Sequence, residues 1–406
     1  MLRLPNIQIL RAVAAIAVVF YHDGIETTNI CTATGQACAP DFWIGAFGVP
    51  LFFIISGFIM VTTSWNNFGV AGAPLDFMKR RIIRIVPLYW LVTTIAIVGI
   101  LMSPDMLKVA VVDPLYFLAS YLFWPMARVN GLVRPIANLG WTLNLEMMFY
   151  AVFTVALFFG RKRGLILAIG FLAFMSALQA IGLFAAKSPF HSVPLNFWAD
   201  PIILNFIMGM LVAVIYRQGF RISSTESYLL IAISVVGVLL VRNFLGVLDM
   251  MPEDHIINRL VAMVPMLALF MAGSLGPQVE SEKPLWRAGL LLGDASYSLY
   301  LIHPFILRPA SKIWGKVIGT HLPAWTFTIL AVFAALAGGL LVYVLIERNL
   351  TKFFSKKRLV APGAQPLGVV EQGRNNLGSE KARLETRQSI IPTTTSGATS
   401  FSRNNR

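Results

Sequence analysis

The chain has 406 residues, of which 57% are hydrophobic and 13% are charged, and its mean hydropathy is +0.71. Soluble domains are closer to half apolar and a quarter charged, so this composition excludes an ordinary soluble protein and favours an integral membrane protein. The net charge of +14 does not indicate nucleic-acid binding, because the Lys and Arg residues lie between apolar runs and in the C-terminal segment.

The long apolar runs predict transmembrane helices. A run such as AIGFLAFMSALQAIGLFAA, residues 168–186, does not alternate with period two, as the strands of a membrane barrel would. We predict an all-α, polytopic membrane helical bundle with about ten transmembrane helices. In chain order the predicted spans are Ile7–His22, Phe42–Ser64, Ile82–Met102, Trp141–Phe159, Leu165–Phe184, Pro201–Tyr216, Tyr228–Val241, Leu260–Gly273, Leu290–Leu307 and Trp325–Ile346.

The distribution of positive charge predicts the orientation of the bundle. The loop Asp23–Asp41 contains no Lys or Arg, which is typical of an extracytoplasmic loop, and both termini are therefore predicted to be cytoplasmic. The segment Val109–Trp124 is broken by Pro114, and we interpret it as re-entrant or interfacial; if it spanned, every later helix would be inverted. The predicted cytoplasmic cations are Arg3, Lys79, Arg80, Arg81, Arg84, Arg161, Lys162, Arg163, Arg217, Arg221, Lys283, Arg287, Arg348, Lys352, Lys356, Lys357 and Arg358.

Composition divides the chain into two parts. Residues 1–358 form the predicted transmembrane domain, whereas residues 359–406 are rich in Gln, Asn, Ser, Thr, Gly and Arg. Such a segment buries too little apolar surface to fold, so it predicts a disordered cytoplasmic tail. Cys31 and Cys38 share one short loop, and their spacing fits neither a zinc site nor a redox motif. No metal is expected, while a disulfide and two free thiols both remain open.

The first apolar segment contains two ionisable side chains, Arg11 and His22. Ionisable groups inside a span are costly and mark candidate functional sites. Their separation corresponds to roughly 16 Å of helix with an angular offset of about 20°, so both side chains point the same way. This geometry suits an elongated ligand with an anionic end near Arg11 and a reactive end near His22. A second interpretation makes Arg11 an interfacial residue and His22 a polar helix end.

The third span opens with KRRIIRIVPLYW, residues 79–90. Arg81 and Arg84 share a helix face, and so do Arg80 and Arg84. Arginine side chains match phosphate oxygens with two parallel hydrogen bonds, so this cluster predicts a site for a nucleotide-like group. Cations at cytoplasmic helix ends are also ordinary topology signals, and this second interpretation is favoured for Lys79 and Arg80.

Further polar groups fall inside or beside the spans. Glu146, in GWTLNLEMMFY, must be neutral, paired or hydrogen-bonded if it is buried, and it either pairs with an arginine of another span or acts on a proton. His303, in SYSLYLIHPF, is either an acceptor-side residue or an interfacial histidine. Glu347 is expected to form a local ion pair with Arg348. The small residues in ISGFIM, residues 55–60, favour helix packing.

Taken in this order and spacing, the motifs resemble the acyltransferase-3 family of membrane O-acyltransferases, and within it the bacterial exopolysaccharide acetylation proteins. The resemblance covers roughly Leu4–Leu350. Asn349 departs from the family pattern, which often has proline after the last Glu-basic pair. The matching motifs are Arg11 followed after ten residues by His22, FGVPLFFIISGFIM (47–60), RRIIRIVPLYW (80–90), WTLNLEMMFY (141–150), SYSLYLIHP (296–304) and Glu347–Arg348.

The resemblance implies a tunnel through the membrane and transfer of an acyl group, usually acetyl from cytoplasmic acetyl-CoA, to a hydroxyl of a cell-envelope or secreted glycan. It implies that His22 is the catalytic residue and that arginines of the first and third spans hold the donor. The predicted site residues are His22 and Glu146 for catalysis, Arg11, Arg80, Arg81 and Arg84 for binding acetyl-CoA, and Trp141 and His303 for binding substrate.

Two other classes of protein remain open on the residues alone. One is a transporter of lipid-linked sugars or small solutes, whose intramembrane charges line a path, although no internal repeat supports inverted halves. The other is a non-enzymatic component of a polysaccharide export complex. The expected location is the bacterial inner membrane, as a multi-pass protein. The expected partners are a glycan or lipid-linked glycan acceptor, membrane lipids and polysaccharide biosynthesis or export proteins, but no nucleic acid.

Overall fold

The computed structural model describes residues 4–38, 42–102, 113–128, 131–245, 256–279, 282–319 and 321–356. The predicted tail, residues 359–406, lies outside these residues. Within the described ranges the chain is all-α, and its only β contact is an isolated antiparallel bridge between Ala127 and Val133. Cys31 is buried and Cys38 is exposed, and no disulfide joins them.

Fourteen α-helices are present in the described ranges, and a 3₁₀ turn, Trp43–Phe47, precedes the second. A single π-helical turn, Tyr343–Glu347, joins the last two. The helices are α1 Pro5–Thr34, α2 Gly48–Ser64, α3 Ala73–Met102, α4 Pro114–Tyr121, α5 Gly140–Ala156, α6 Arg161–Ala180, α7 Val193–Trp198, α8 Leu204–Arg217, α9 Ser224–Leu245, α10 Ile256–Leu275, α11 Pro284–Asp294, α12 Ser296–Val317, α13 Ala324–Val342 and α14 Arg348–Lys356.

Seven helical segments of the described chain are long and apolar enough to cross a membrane, or eight if the bent pair α11 and α12 forms one span. The multi-pass helical prediction is thereby confirmed. All ten predicted spans fall on helices, but α5 has only 17 residues, and the apolar part of α10, Leu260–Leu275, is also short. The count of ten spans and the cytoplasmic placement of both termini stay predictions.

Two predicted spans differ from the helices in the structure. The span Leu290–Leu307 is not one helix, because the chain bends by 74° between α11 and α12. The first helix does not end near His22 but continues to Thr34. Its polar extension is held by α13, where the hydroxyls of Thr27 and Thr328 lie 2.9 Å apart. The segment Val109–Trp124 contributes α4, whose eight residues span about 12 Å and are too short to cross a bilayer.

Helices α1 and α12 run parallel, which the contacts along them establish. Arg11 Nη2 donates to Ser296 Oγ at 2.9 Å, and Ser311 Oγ donates to Glu26 Oε2 at 2.6 Å. The two contact residues on α1 are 15 residues apart, and so are the two on α12. Both helices therefore advance together over about 22 Å, and this register places His303 level with Val18, one helical turn before His22 on α1.

Helices α2 and α8 touch backbone to backbone at two glycines. A Cβ on Gly57 would lie 2.1 Å from the carbonyl oxygen of Phe206, and one on Gly209 would lie 1.9 Å from that of Ile54. Only glycine leaves room for this approach. The helix-packing interpretation of the small residues in ISGFIM is therefore confirmed for Gly57.

Candidate active site

A cavity lies between α1, α2, α3, α5 and α12. Its lining is mostly apolar and aromatic, with a few polar groups pointing inward, which is the usual composition of a small-molecule site. Four charged side chains line it, namely Arg11, Arg81, Arg84 and Glu146. The structure thus brings together four of the predicted site residues, although they come from three different helices.

Arg11 is held at the wall of this cavity by neighbours on two helices. Its side chain is 8% exposed. Nη1 donates to Gln8 Oε1 at 3.0 Å, one turn earlier on α1, and Nη2 donates to Ser296 Oγ at 2.9 Å. An arginine has five N–H donors, so these two bonds fix the guanidinium and leave other donors for a ligand.

Arg81 and Arg84 present incompletely bonded guanidinium groups to the cavity. The Arg81 guanidinium lies 5.3 Å from the ring centre of Phe77 and 5.8 Å from that of Tyr150, yet its buried Nε atom has no hydrogen-bond partner. Arg84 forms no hydrogen bond or ion pair within the part of the chain that the structure describes. Such donors fit a phosphate-bearing ligand, because buried polar atoms otherwise cost free energy.

Arg80 is not among the residues that line the cavity. The sequence left open whether Arg80 or Arg81 shares the functional face of α3 with Arg84. The structure places the pair Arg81 and Arg84, which are three residues apart, at the cavity. The assignment of Arg80 to donor binding therefore lacks support from this geometry.

Glu146 lies at the arginine-lined end of the cavity, where two hydroxyls hold it. Its Oε1 accepts hydrogen bonds from Ser56 Oγ at 3.2 Å and from the hydroxyl of Tyr150. It interacts electrostatically with Arg11 but forms no ion pair in the described residues. Sequence reasoning missed both hydroxyls, although Tyr150 follows Glu146 by one helical turn and was detectable from that spacing.

Glu347 is a second buried carboxylate close to the arginines. It is 7% exposed and accepts a 2.5 Å hydrogen bond from Ser298 Oγ. Arg84 and Arg11 both interact with it electrostatically. The predicted local pair with Arg348 is absent among the described ion pairs; instead the π turn directs this carboxylate toward α12.

His22 and His303 form a contact pair. His22 Nδ1 lies 2.9 Å from the carbonyl oxygen of Val18 and 3.3 Å from His303 Nε2. The ring centres are 5.0 Å apart. His303 is completely buried, whereas His22 is partly exposed. The sequence predicted both residues as site residues but not that they touch.

Tyr300 lies between the cavity and the histidine pair. It lines the cavity, and its ring centre is 6.3 Å from that of His303. Its hydroxyl lies 2.8 Å from Thr142 Oγ1, which fixes the ring. His22 is not itself among the lining residues. Arg11 therefore faces the cavity, as expected, whereas His22 does not.

Trp141 is half-buried at the start of α5 and is not among the residues that line the cavity. The guanidinium of Arg134 lies 4.4 Å from the centre of its ring system, within the range of a cation–π contact. Trp141 immediately precedes Thr142, the partner of Tyr300. Arg134 also interacts electrostatically with His22, which places Trp141 near the histidine end of the site.

Comparison with known proteins gives the family. Residues 4–344 match the model of the family described as Acyltransferase domain. The chain is 33% identical to exopolysaccharide production protein ExoZ of Rhizobium meliloti, over 79% of this chain and 94% of that protein. It is 26% identical to acyltransferase MdmB of Streptomyces mycarofaciens, over 90% and 96% respectively. It is 22% identical to O-acetyltransferase OatA of Staphylococcus aureus, over 82% of this chain but 55% of that protein.

No solved structure shows a significant match to the chain. The family match covers most of the transmembrane helices and every residue of the arginine-lined cavity and the histidine pair. The chain therefore belongs to the acyltransferase family that its motifs resemble, and it is a multi-pass membrane O-acyltransferase.

Proposed function

We propose that this O-acyltransferase moves an acetyl group from cytoplasmic acetyl-CoA to a hydroxyl of an exopolysaccharide or another cell-envelope glycan, in the bacterial inner membrane. The observation that carries the proposal is the arrangement of the site. A cavity with three arginines, two of them incompletely bonded, ends at Tyr300 beside a pair of contacting histidines.

The donor end of the site is the arginine-lined part of the cavity. Arg11, Arg81 and Arg84 offer charge and directed N–H groups to the phosphates of CoA. The roughly 16 Å of helix between Arg11 and His22 is comparable to the length of an extended pantetheine arm. A donor anchored at the arginines would pass Tyr300 to bring its thioester to His22.

His22 is the proposed general base. The unperturbed pKa of a histidine side chain is about 6.5, so an imidazole can accept and return a proton near neutral pH. It takes the proton of the acceptor hydroxyl while the oxygen attacks the thioester carbon, and the carbon–sulfur bond then breaks to release CoA. A route through an acetyl-imidazole intermediate is the competing mechanism, and it uses the same nitrogen as nucleophile.

The acceptor is proposed to enter at the histidine end. Trp141 lies near that end and carries Arg134 over its ring, which supports the proposal that it contacts the substrate there. The names of two relatives, an exopolysaccharide production protein and an O-acetyltransferase, favour a glycan acceptor for this chain as well.

The sequence predicts a catalytic role for Glu146 together with His22. Its position among the cavity arginines, held by Ser56 and Tyr150, favours a role at the donor end. We propose that it orients and balances the charge of the arginines and does not exchange a proton with the acceptor.

The deciding experiment measures acetyl transfer from labelled acetyl-CoA to envelope and secreted glycans, using purified protein in lipid nanodiscs and deleted cells carrying each variant. His22→Ala is expected to abolish transfer while the protein remains in the membrane at normal abundance. His321→Ala is the matched control, because His321 is exposed in a loop. Undiminished glycan acetylation by His22→Ala would show that His22 takes no part in the mechanism. Glycan acetylation that does not depend on acetyl-CoA would show that acetyl-CoA is not the donor.

A further inference from the structure

Both histidines of the pair hold Nδ1 against a carbonyl oxygen of their own helix. His22 Nδ1 lies 2.9 Å from the Val18 oxygen, and His303 Nδ1 lies 3.0 Å from the Leu299 oxygen. A carbonyl oxygen only accepts hydrogen bonds, so each neutral ring must carry its hydrogen on Nδ1. The lone pair of each ring is therefore on Nε2.

The contact between the rings follows from these tautomers. His303 Nε2, which has the lone pair, faces His22 Nδ1 at 3.3 Å. The hydrogen on His22 Nδ1 is thus shared between Val18 and His303. Were His22 in its other tautomer, its Nδ1 lone pair would face two acceptors, and both contacts would be lost. Two independent groups therefore enforce one tautomer.

His303 has no ring nitrogen left for a ligand. It is completely buried, its Nδ1 is bonded to Leu299, and its Nε2 is bonded to His22. Its contacts are therefore those of a residue that acts through another side chain. This differs from the substrate-binding role that the sequence predicts for it.

We propose that His303 is the positioning residue of His22: together with the Val18 oxygen, its Nε2 accepts the His22 Nδ1 hydrogen, and it so holds the ring with Nε2 as the atom that takes the proton of the acceptor hydroxyl. This inference rests on the proposed role of His22 as general base. A histidine base needs its second nitrogen oriented by a hydrogen-bond acceptor, and here a neutral imidazole supplies one.

The proposed step balances in protons and bonds. His22 Nε2 receives the hydroxyl proton as the acceptor oxygen bonds to the thioester carbon, and the ring becomes an imidazolium with hydrogens on both nitrogens. The carbon–sulfur bond breaks, and the departing thiolate takes the proton back from Nε2. While His22 is charged, its Nδ1–H bond to His303 becomes charge-assisted and stronger. The ring of His303 stays neutral throughout, because two imidazolium rings in this contact would repel each other.

The test compares two substitutions of His303. In His303→Gln the side-chain amide oxygen replaces Nε2 as acceptor, whereas His303→Leu has a similar volume and no acceptor. We expect His303→Leu to lower kcat by about 10- to 100-fold, the loss measured when the hydrogen-bond partner of a metal-ligating histidine is removed, with little change in the KM for acetyl-CoA. We expect His303→Gln to recover most of the loss. Equal activity of the two variants would overturn the proposal.

A second measurement does not depend on turnover. Nitrogen-15 shifts of the His22 ring, assigned by comparison with His22→Gln among the 5 histidines of the chain, report which nitrogen carries the hydrogen. We expect Nδ1–H in the unmodified protein and in His303→Gln. A hydrogen on Nε2 in the unmodified protein would refute the inference even if His303→Leu failed to fold. Absence of acetyl transfer by the unmodified protein, with the Nδ1–H tautomer present, would instead refute the proposed function.

Discussion

The hydroxyl of Ser298 donates a 2.5 Å hydrogen bond to the carboxylate of Glu347. The two residues join the start of α12 to the π turn that precedes α14. Because Arg11 and Arg84 interact electrostatically with this carboxylate, one buried acid both connects the last helices and balances two cations of the cavity. Its placement in a π turn fits the frequent use of such turns at functional sites.

Replacing Glu347 with alanine is expected to destabilise the protein. The change leaves Ser298 without its acceptor and removes one of the negative charges that act on Arg11 and Arg84, at a cost of about 1–3 kcal/mol or more. The measurement is the Tm of detergent-solubilised protein. Glu282→Ala is the control, since the side chain of Glu282 is 91% exposed at its 4.0 Å contact with Arg287. Equal Tm shifts for both variants would contradict the assignment.

The glycine contact between α2 and α8 gives a second prediction. Gly209→Ala places a Cβ 1.9 Å from the Ile54 oxygen, and backbone cannot yield as a flexible side chain does. We expect a loss of about 1–3 kcal/mol or more, as for other overpacked interiors, seen as lower Tm and lower membrane abundance. Gly170→Ala, in α6, meets nothing within 4 Å and should be neutral. A neutral Gly209→Ala would show that the helices are further apart.

Arg84 should control donor affinity. Hydrogen bonds to charged groups contribute about 1.5–3 kcal/mol, so Arg84→Ala is expected to raise the apparent KM for acetyl-CoA about tenfold or more, with a smaller effect on kcat at saturation. Arg80→Ala is the matched control from the same helix, because Arg80 does not line the cavity, and its KM should stay within about twofold. An unchanged donor dependence of Arg84→Ala would place the CoA phosphates elsewhere.

Local geometry explains which parts of the site were predictable. Arg11 and His22 share a face because helix periodicity depends only on their spacing in one helix. The contact between His22 and His303 joins residues 281 positions apart, and it depends on the bend before α12 and on the parallel register with α1. No local pattern encodes either feature.

Two neighbouring residues of the ISGFIM segment also show what local sequence cannot predict. Small residues predict close packing, and Gly57 does pack on α8. Ser56, its neighbour, points about 100° away around the helix and instead reaches Glu146. Both residues are small, and only the positions of α5 and α8 around α2 determine that one packs and the other binds a carboxylate.

The two residues predicted to be catalytic, His22 and Glu146, should differ sharply when changed. Loss of a general base lowers kcat by about 10²- to 10⁴-fold, and this is expected of His22→Gln. Glu146→Gln keeps an oxygen that accepts from Ser56 and Tyr150, removes only the charge, and should lower kcat by about tenfold or less. Steady-state kinetics at saturating acetyl-CoA and glycan measure both.

The comparison needs a test of whether Glu146 acts through the arginines. Tyr150→Phe provides it, because it removes one of the two hydroxyls that hold Glu146 and keeps the ring against Arg81. If Glu146 acts through the arginines, Tyr150→Phe and Glu146→Gln should each raise the KM for acetyl-CoA. The KM of the double variant should then be no higher than that of Glu146→Gln alone. A fall in kcat for Glu146→Gln as large as that for His22→Gln would return Glu146 to the chemical step, because a carboxylate that only organises cations has no proton to lose.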